Sequence, residues 1–259
     1  MRIPLYQVDA FADRVFQGNA AAVCPLEHWP DDELLQAIAA ENNLSETAFF
    51  IPSESSPRLR WFTPLVEADL CGHATLAAAF VLFERLRPGA DTVTFHSRSG
   101  PLTVTRASDL LTLDFPALPV SEPLEVAGLA EALGAAPIEA RGRMDLLAVF
   151  NTEAEIRALQ PNLSLVERLP YRGVIATAPG DEVDFVSRFF GPAVGIPEDP
   201  VTGSAHCALT PYWARRFGKS RLTARQVSRR GGALQCELRG ERVFLGGRAV
   251  LYLEGSILV

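Results

Sequence analysis

Three short stretches of the chain hold residue types that could do chemistry together. In "NNLSETAFFIP" a glutamate, Glu46, stands just ahead of an apolar run. In "LCGHATLAAAF" Gly72 and His73 head a segment that is otherwise almost wholly apolar. In "PEDPVTGSA" Asp199 precedes Gly203 and Ser204, which open another small-residue segment. If the two small-residue segments are helices, their first N–H groups lack intrahelical partners and carry about half a positive charge. Glycine lets an anion approach such a terminus closely. Two such termini facing one another would clamp a single carboxylate. A carboxyl side chain buried beside the clamp would titrate nearer neutrality, the condition for taking and returning a proton. Each residue also admits a plainer role. His73 and Ser204 could be first-turn residues satisfied by local chain or water. Glu46 could be a solvated residue at a strand edge, and Asp199 a turn residue before Pro200. Glu67 and Glu198 share that ambiguity with less support.

The elements that must position these residues are mostly strands. Ile3 to Phe11 alternates, Ala20 to Cys24 is a short apolar run, and "ETAFFI", "LRWFT", "DTVTFHS", "PLTVTR" and "LLTLDF" follow. Later come "DLLAVF", "RGVIATA", "VDFVSRFF", "TARQVS", "ALQCEL", "RVFLGG" and "AVLYLEG", most of them bounded by turn residues. Asp31 to Glu41 reads as a helix with an acidic start and a stripe at Leu34, Leu35, Ile38 and Ala39. His73 to Arg85 and Ser204 to Phe217 are the other strong helices; Val126 to Leu133 and Glu153 to Leu159 are weaker. The prolines from Pro116 to Pro123 resist both helix and central strand. They divide the chain into an N-terminal lobe, 1–117, which the C-terminal strand could complete, and a C-terminal lobe, 118–259. The halves echo one another: setting Gly72 on Gly203 places His73 on Ser204, Ala74 on Ala205 and Cys71 on Thr202.

Composition narrows the function. The net charge is −7 over 259 residues, which gives no electrostatic footprint for nucleic acid. No apolar run is long enough to span a bilayer, and the N-terminus lacks the apolar block of a signal peptide. A cytoplasmic protein is expected. The cysteines, Cys24, Cys71, Cys207 and Cys236, form no C-x-x-C pair and are expected as free thiols. The histidines show no ligand spacing, so no metal site is expected. Lys219 is the only lysine and sits in a polar turn, poorly placed for a pyridoxal phosphate Schiff base. Trp213 stands where a P-loop needs its first glycine, and no G-x-G-x-x-G follows a strand.

Taken in order, "SETAFF", "FTP…LCGHATLAA", "EDPVTGSA" and the "RRGG…LRGERVFLGGRAVLYLEG" ending resemble the PhzF-like branch of the diaminopimelate epimerase-like proteins. The likeness covers nearly the whole chain. It implies an α/β (α+β) fold of two pseudo-symmetric lobes, each a curved, mostly antiparallel or mixed sheet around a central helix. It implies a homodimer, no cofactor, and an isomerase that moves a proton within a small carboxylate, as in trans-2,3-dihydro-3-hydroxyanthranilate isomerisation. In that pattern Glu46 is the catalytic residue, and Gly72, His73, Asp199, Gly203 and Ser204 contact the substrate. Racemases and epimerases of the wider superfamily use two thiols, one before each helix-opening glycine. Here Cys71 fills the first position but Thr202 the second, and threonine is too weak an acid to partner a thiol base. Cys71 is expected to pack as a small buried hydrophobe. The "CGHAT" form also departs from the phenazine enzyme beside the histidine, so the motif carries the site but not the substrate. The alternatives are a racemase, epimerase or dehydratase of an amino or hydroxy acid, and a metabolite-binding protein without catalysis.

Overall fold

The computed structural model describes residues Met1–Val259 as two compact units. Unit one comprises Met1–Phe115 with Leu245–Val259; unit two comprises Pro116–Phe244. The architecture is α+β, mostly sheet with a few helices. No helix is long and apolar enough to cross a membrane.

In unit one the strands are β1 (Arg2–Ala10), β2 (Asn19–Pro25), β3 (Glu46–Phe50), β4 (Leu59–Phe62) and β5 (Glu67–Ala68). They form one sheet in sequence order, with the C-terminal strand Ala249–Leu258 added outside β1. Pairing is antiparallel except between β2 and β3, which run parallel. A parallel pair needs a crossover, and helix α1 (Asp32–Asn42) supplies it. Asp31 caps α1 by accepting from the Leu34 N–H at 2.8 Å. The meander β6 (Thr92–Ser97), β7 (Gly100–Ala107), β8 (Leu110–Pro116) completes the unit.

Helix α2 (Gly72–Val81) packs against β1, β2, β3 and the C-terminal strand. Its run of alanines, with Leu76 and Val81, has no polar face, and every residue from His73 to Ala79 is buried. Such a helix is stable only when wrapped. The sequence predicts helix through Arg85, but the regular α-turns stop at Val81. Leu82–Leu86 widens into a π-turn. The wider turn keeps Leu82 and Phe83 buried while Glu84 reaches Arg106 at 2.8 Å.

Unit two contains α3 (Leu129–Leu133), β9 (Glu139–Gly142), β10 (Leu146–Val149), α4 (Glu153–Ala158), α5 (Leu163–Val166), β11 (Val174–Pro179), β12 (Phe185–Gly191), β13 (Ile196–Asp199), α6 (Gly203–Phe217), β14 (Arg221–Gln226) and β15 (Gly232–Arg239). The sheet runs β15-β14-β12-β11-β10-β9, with β13 paired to β12. Two parallel pairs, β10 with β11 and β12 with β14, are bridged by helical crossovers, the second of them α6. Leu146, Ala148, Val174, Ala176 and Phe190 form the core beneath α3, α4 and α5. Trp213 of α6 is fully buried and donates from Nε1 to Thr177 Oγ1 at 3.0 Å. The short elements β5, β9, β13 and α5 were not among the sequence expectations.

Candidate active site

Both small-residue helices begin at the glycines, α2 at Gly72 and α6 at Gly203. The residue before each, Cys71 and Thr202, is extended and makes no side-chain cap. The first-turn N–H groups therefore keep their donors for something other than a capping side chain.

In unit one the α2 tip faces β3. Glu46 is the first residue of β3, in register with Ala21 of β2. It is only 9% exposed, not a solvated edge residue. Its Oε2 lies 3.0 Å from His73 Nε2, and neither atom has a well-aligned hydrogen-bond partner. The other ring nitrogen, Nδ1, lies 3.2 Å from Asn19 Nδ2 and 3.6 Å from Cys71 Sγ. Ser45 Oγ donates to Asn19 Oδ1 at 3.0 Å. With Asn19 oriented this way its amide donates to Nδ1, which leaves the proton of a neutral His73 on Nε2, aimed at Glu46. Burial opposes charging His73. The Cys71 sulfur beside Nδ1 and the Glu46 carboxylate beside Nε2 outweigh it and hold its pKa well above the usual imidazole value. Burial, and then the charge of Glu46, push the Cys71 thiol up to about 11, so at neutral pH it is a thiol rather than a thiolate. Cys71 is buried as expected, but its sulfur belongs to the cluster. The donor atoms of Glu46, Cys71 and His73 lie within 4.8 Å of one another. Oxygen, sulfur and nitrogen donors of this kind suit zinc.

In unit two the α6 tip carries a second polar cluster. Asp199 ends β13 and is buried, and its Oδ2 accepts from Thr202 Oγ1 at 2.5 Å. Ser204 Oγ accepts from Arg172 Nη2 at 2.9 Å. Arg172 also grips the buried Asp145 through Nε at 2.8 Å and Nη2 at 2.6 Å. Gln226, on β14, is completely buried beneath the Asp199–Thr202 turn.

Each unit thus gathers its own set: Glu46, Gly72 and His73 in one, Asp199, Gly203 and Ser204 in the other. The competing carboxylates are occupied elsewhere. Glu67 is bound to Arg60 at 2.7 Å and Arg98 at 2.6 Å, and Glu198 to Arg188 at 2.7 Å. Asn19, Arg172 and Gln226 escaped the sequence reading. Each is a common residue in an ordinary strand or loop, and only folding brings it to a helix tip.

The family model described as phenazine biosynthesis-like protein matches residues 8–255. An uncharacterised isomerase of Pseudomonas aeruginosa is 54% identical, with 99% of each chain covered. The crystal structure of a PhzF-family phenazine biosynthesis protein from Enterococcus faecalis superposes with a TM-score of 0.98 at 48% identity, over 100% of both chains. A hydroxyproline epimerase from Agrobacterium vitis, solved with bound trans-4-OH-L-proline, shares the fold. Its TM-score is 0.65 at 13% identity, covering 99% of this chain and 91% of its own.

Proposed function

The chain belongs to the phenazine biosynthesis-like family and is an isomerase, and from that premise we propose that Glu46 moves a proton within a small carboxylated substrate. The observation that carries this reading is the buried Glu46 carboxylate 3.0 Å from His73 Nε2 at the uncapped tip of α2. Glu46 takes a proton from a carbon made acidic by the neighbouring conjugated system. The electron pair left behind spreads toward the substrate carboxylate. The N–H groups at the tip of α2, with His73, stabilise that charge. The new Glu46 carboxylic acid returns the proton to another carbon of the same system, so the substrate gains and loses nothing. Asp199 accepts a hydrogen bond from a substrate amino or hydroxyl group. No cofactor is required, because the glutamate is both base and acid.

The test is a screen of small carboxylic acids, amino- and hydroxy-cyclohexadiene acids among them, for deuterium incorporation from D₂O, read by mass spectrometry. Glu46→Gln should lose at least about 10²-fold in exchange. Near-normal exchange in the amide variant would sink the role.

A second reading, an epimerase with Cys71 as base, is favoured by one contact, Cys71 Sγ at 3.6 Å from His73 Nδ1. Against it stand a thiol pushed up to about 11 and a threonine at the position of the second thiol.

A further inference from the structure

We propose that Thr202 and Gln226 are positioning residues which lock the Asp199 carboxylate as a hydrogen-bond acceptor. The inference rests on the reading above only in taking Asp199 to meet the substrate.

The direction of the bonds from Gln226 to Thr202 to Asp199 follows from the backbone. Gln226 Oε1 accepts from the Thr202 backbone N–H at 2.9 Å, and Nε2 donates to the Asp199 carbonyl oxygen at 2.7 Å. Turning the amide over would set NH₂ against N–H and oxygen against oxygen, so its orientation is fixed. Gln226 is completely buried, and no water can compensate for a flip. The second Nε2 proton then goes to Thr202 Oγ1, 3.1 Å away. A hydroxyl has a single proton, and Thr202 sends it to Asp199 Oδ2 at 2.5 Å. The series Gln226 to Thr202 to Asp199 is polarised one way, and each bond strengthens the next.

Thr202 is also the residue before the first turn of α6, where a threonine side chain ordinarily caps the helix. Here it makes no cap and turns back to the carboxylate instead. Two results follow. The α6 N–H groups stay free of a side-chain cap, and Asp199 Oδ2 is held by Thr202 in one orientation. A carboxylate so held recognises donors, which restricts the ligand group at this position to an amino or hydroxyl substituent. Thr202, in place of a second catalytic thiol, thereby acquires a role in specificity.

The experiment has two arms. In the first, deuterium exchange is measured for Thr202→Val, Thr202→Ser, Asp199→Ala and the Thr202→Val/Asp199→Ala pair. Thr202→Val should lose about tenfold in kcat/KM, the worth of one hydrogen bond to a charged group. Thr202→Ser, which keeps the hydroxyl, should stay within about threefold. In the Asp199→Ala background the valine should cost less than about twofold more, because the group it positions is gone. An equal loss in both backgrounds, or a serine variant as poor as the valine, overturns the assignment. The second arm needs no activity: in the crystal structure of Thr202→Val the Asp199 carboxylate should rotate away from its present position. An unmoved carboxylate overturns the proposal even if exchange is found. If Glu46→Gln keeps its exchange while the Thr202 cycle is non-additive, the glutamate mechanism fails and the positioning role stands.

Discussion

His73 stands between a carboxylate and a thiol, with Nε2 at 3.0 Å from Glu46 Oε2 and Nδ1 at 3.6 Å from Cys71 Sγ. The backbone makes this arrangement. Glu46 enters from the first position of β3, Cys71 from the extended residue before α2, and His73 from the first turn of α2. A proton on both ring nitrogens requires an acceptor at Nδ1. Cys71 Sγ, 3.6 Å away, offers one. A histidine held ready to carry charge at a helix tip reinforces the partial positive charge already there, which suits a bound carboxylate.

The state of the thiol separates the two functional readings. Replacing Cys71 with alanine removes a weak partner of His73 and about one small group's packing. Exchange should remain within about fivefold, with a stability cost of about 1 kcal/mol. Loss of all exchange, with an intact circular dichroism spectrum, would move the base from Glu46 to Cys71.

All four cysteines are buried, and burial raises their thiols to between about 11 and about 12. Thiolate is the reactive form. Native protein at pH 7.5 should therefore react slowly with a thiol reagent such as DTNB, and all four should react once urea unfolds the chain. A thiol that reacts within seconds in the folded protein would contradict this burial.

Arg172 links the core of unit two to its helix tip. Asp145 is buried and takes both of its side-chain bonds from this guanidinium. Arg172→Met strands that carboxylate and should destabilise the protein by about 2–3 kcal/mol in urea unfolding. The double variant Arg172→Met/Asp145→Asn should recover part of the loss, because the unpaired charge is gone. A double variant as unstable as the sum of the two singles would show that the pair is not coupled.

Most of what places the site could be read from the chain. The apolar run after Gly72 has no polar face, and that alone buries α2. Asp31 with the Leu34–Ala39 stripe fixes α1, and the alternation of Ile3 to Phe11 gives β1 within one residue. Glycine followed by a polar residue marked both helix tips. Two kinds of information were absent. Short edge elements such as β5, only two residues long, have no period to detect. The residues that steer the site, Asn19 for His73, Gln226 for Thr202 and Arg172 for Ser204, are separated from their partners by 54, 24 and 32 positions. No spacing rule reaches that far.

Gly18 connects a backbone requirement to that hidden shell. Its φ is +65°, and a Cβ there would sit 2.1 Å from the Ala10 carbonyl oxygen. Both the left-handed conformation and the close approach demand glycine. Gly18→Ala should cost at least about 2 kcal/mol. Because the next residue is Asn19, it should also displace the amide that faces His73 and lower exchange several-fold. A stable, fully active alanine variant would mean that the turn between β1 and β2 does not set the histidine.

His206 gives the protein an acid-sensitive core. It is completely buried on α6, with Nδ1 at 2.8 Å from the Thr202 carbonyl oxygen and its ring against Phe185. Burial lowers its pKa from 6.5 to about 4, and the bond to Thr202 only partly opposes this. A base whose folded pKa is depressed binds more protons when unfolded throughout the window between the two values. Its effect on stability is thus absent above about 6.5, grows as pH falls toward about 4, and levels off below that. At 1.36 kcal/mol per pH unit the full loss is about 3 kcal/mol. Urea unfolding of the wild type and of His206→Leu at pH 7 and pH 4.5 should reveal it. The leucine variant forfeits the bond to Thr202 and starts less stable, but its further loss on acidification should be smaller by about 2–3 kcal/mol. Equal acid losses in the two proteins would place the sensitivity in the carboxylates, which both share.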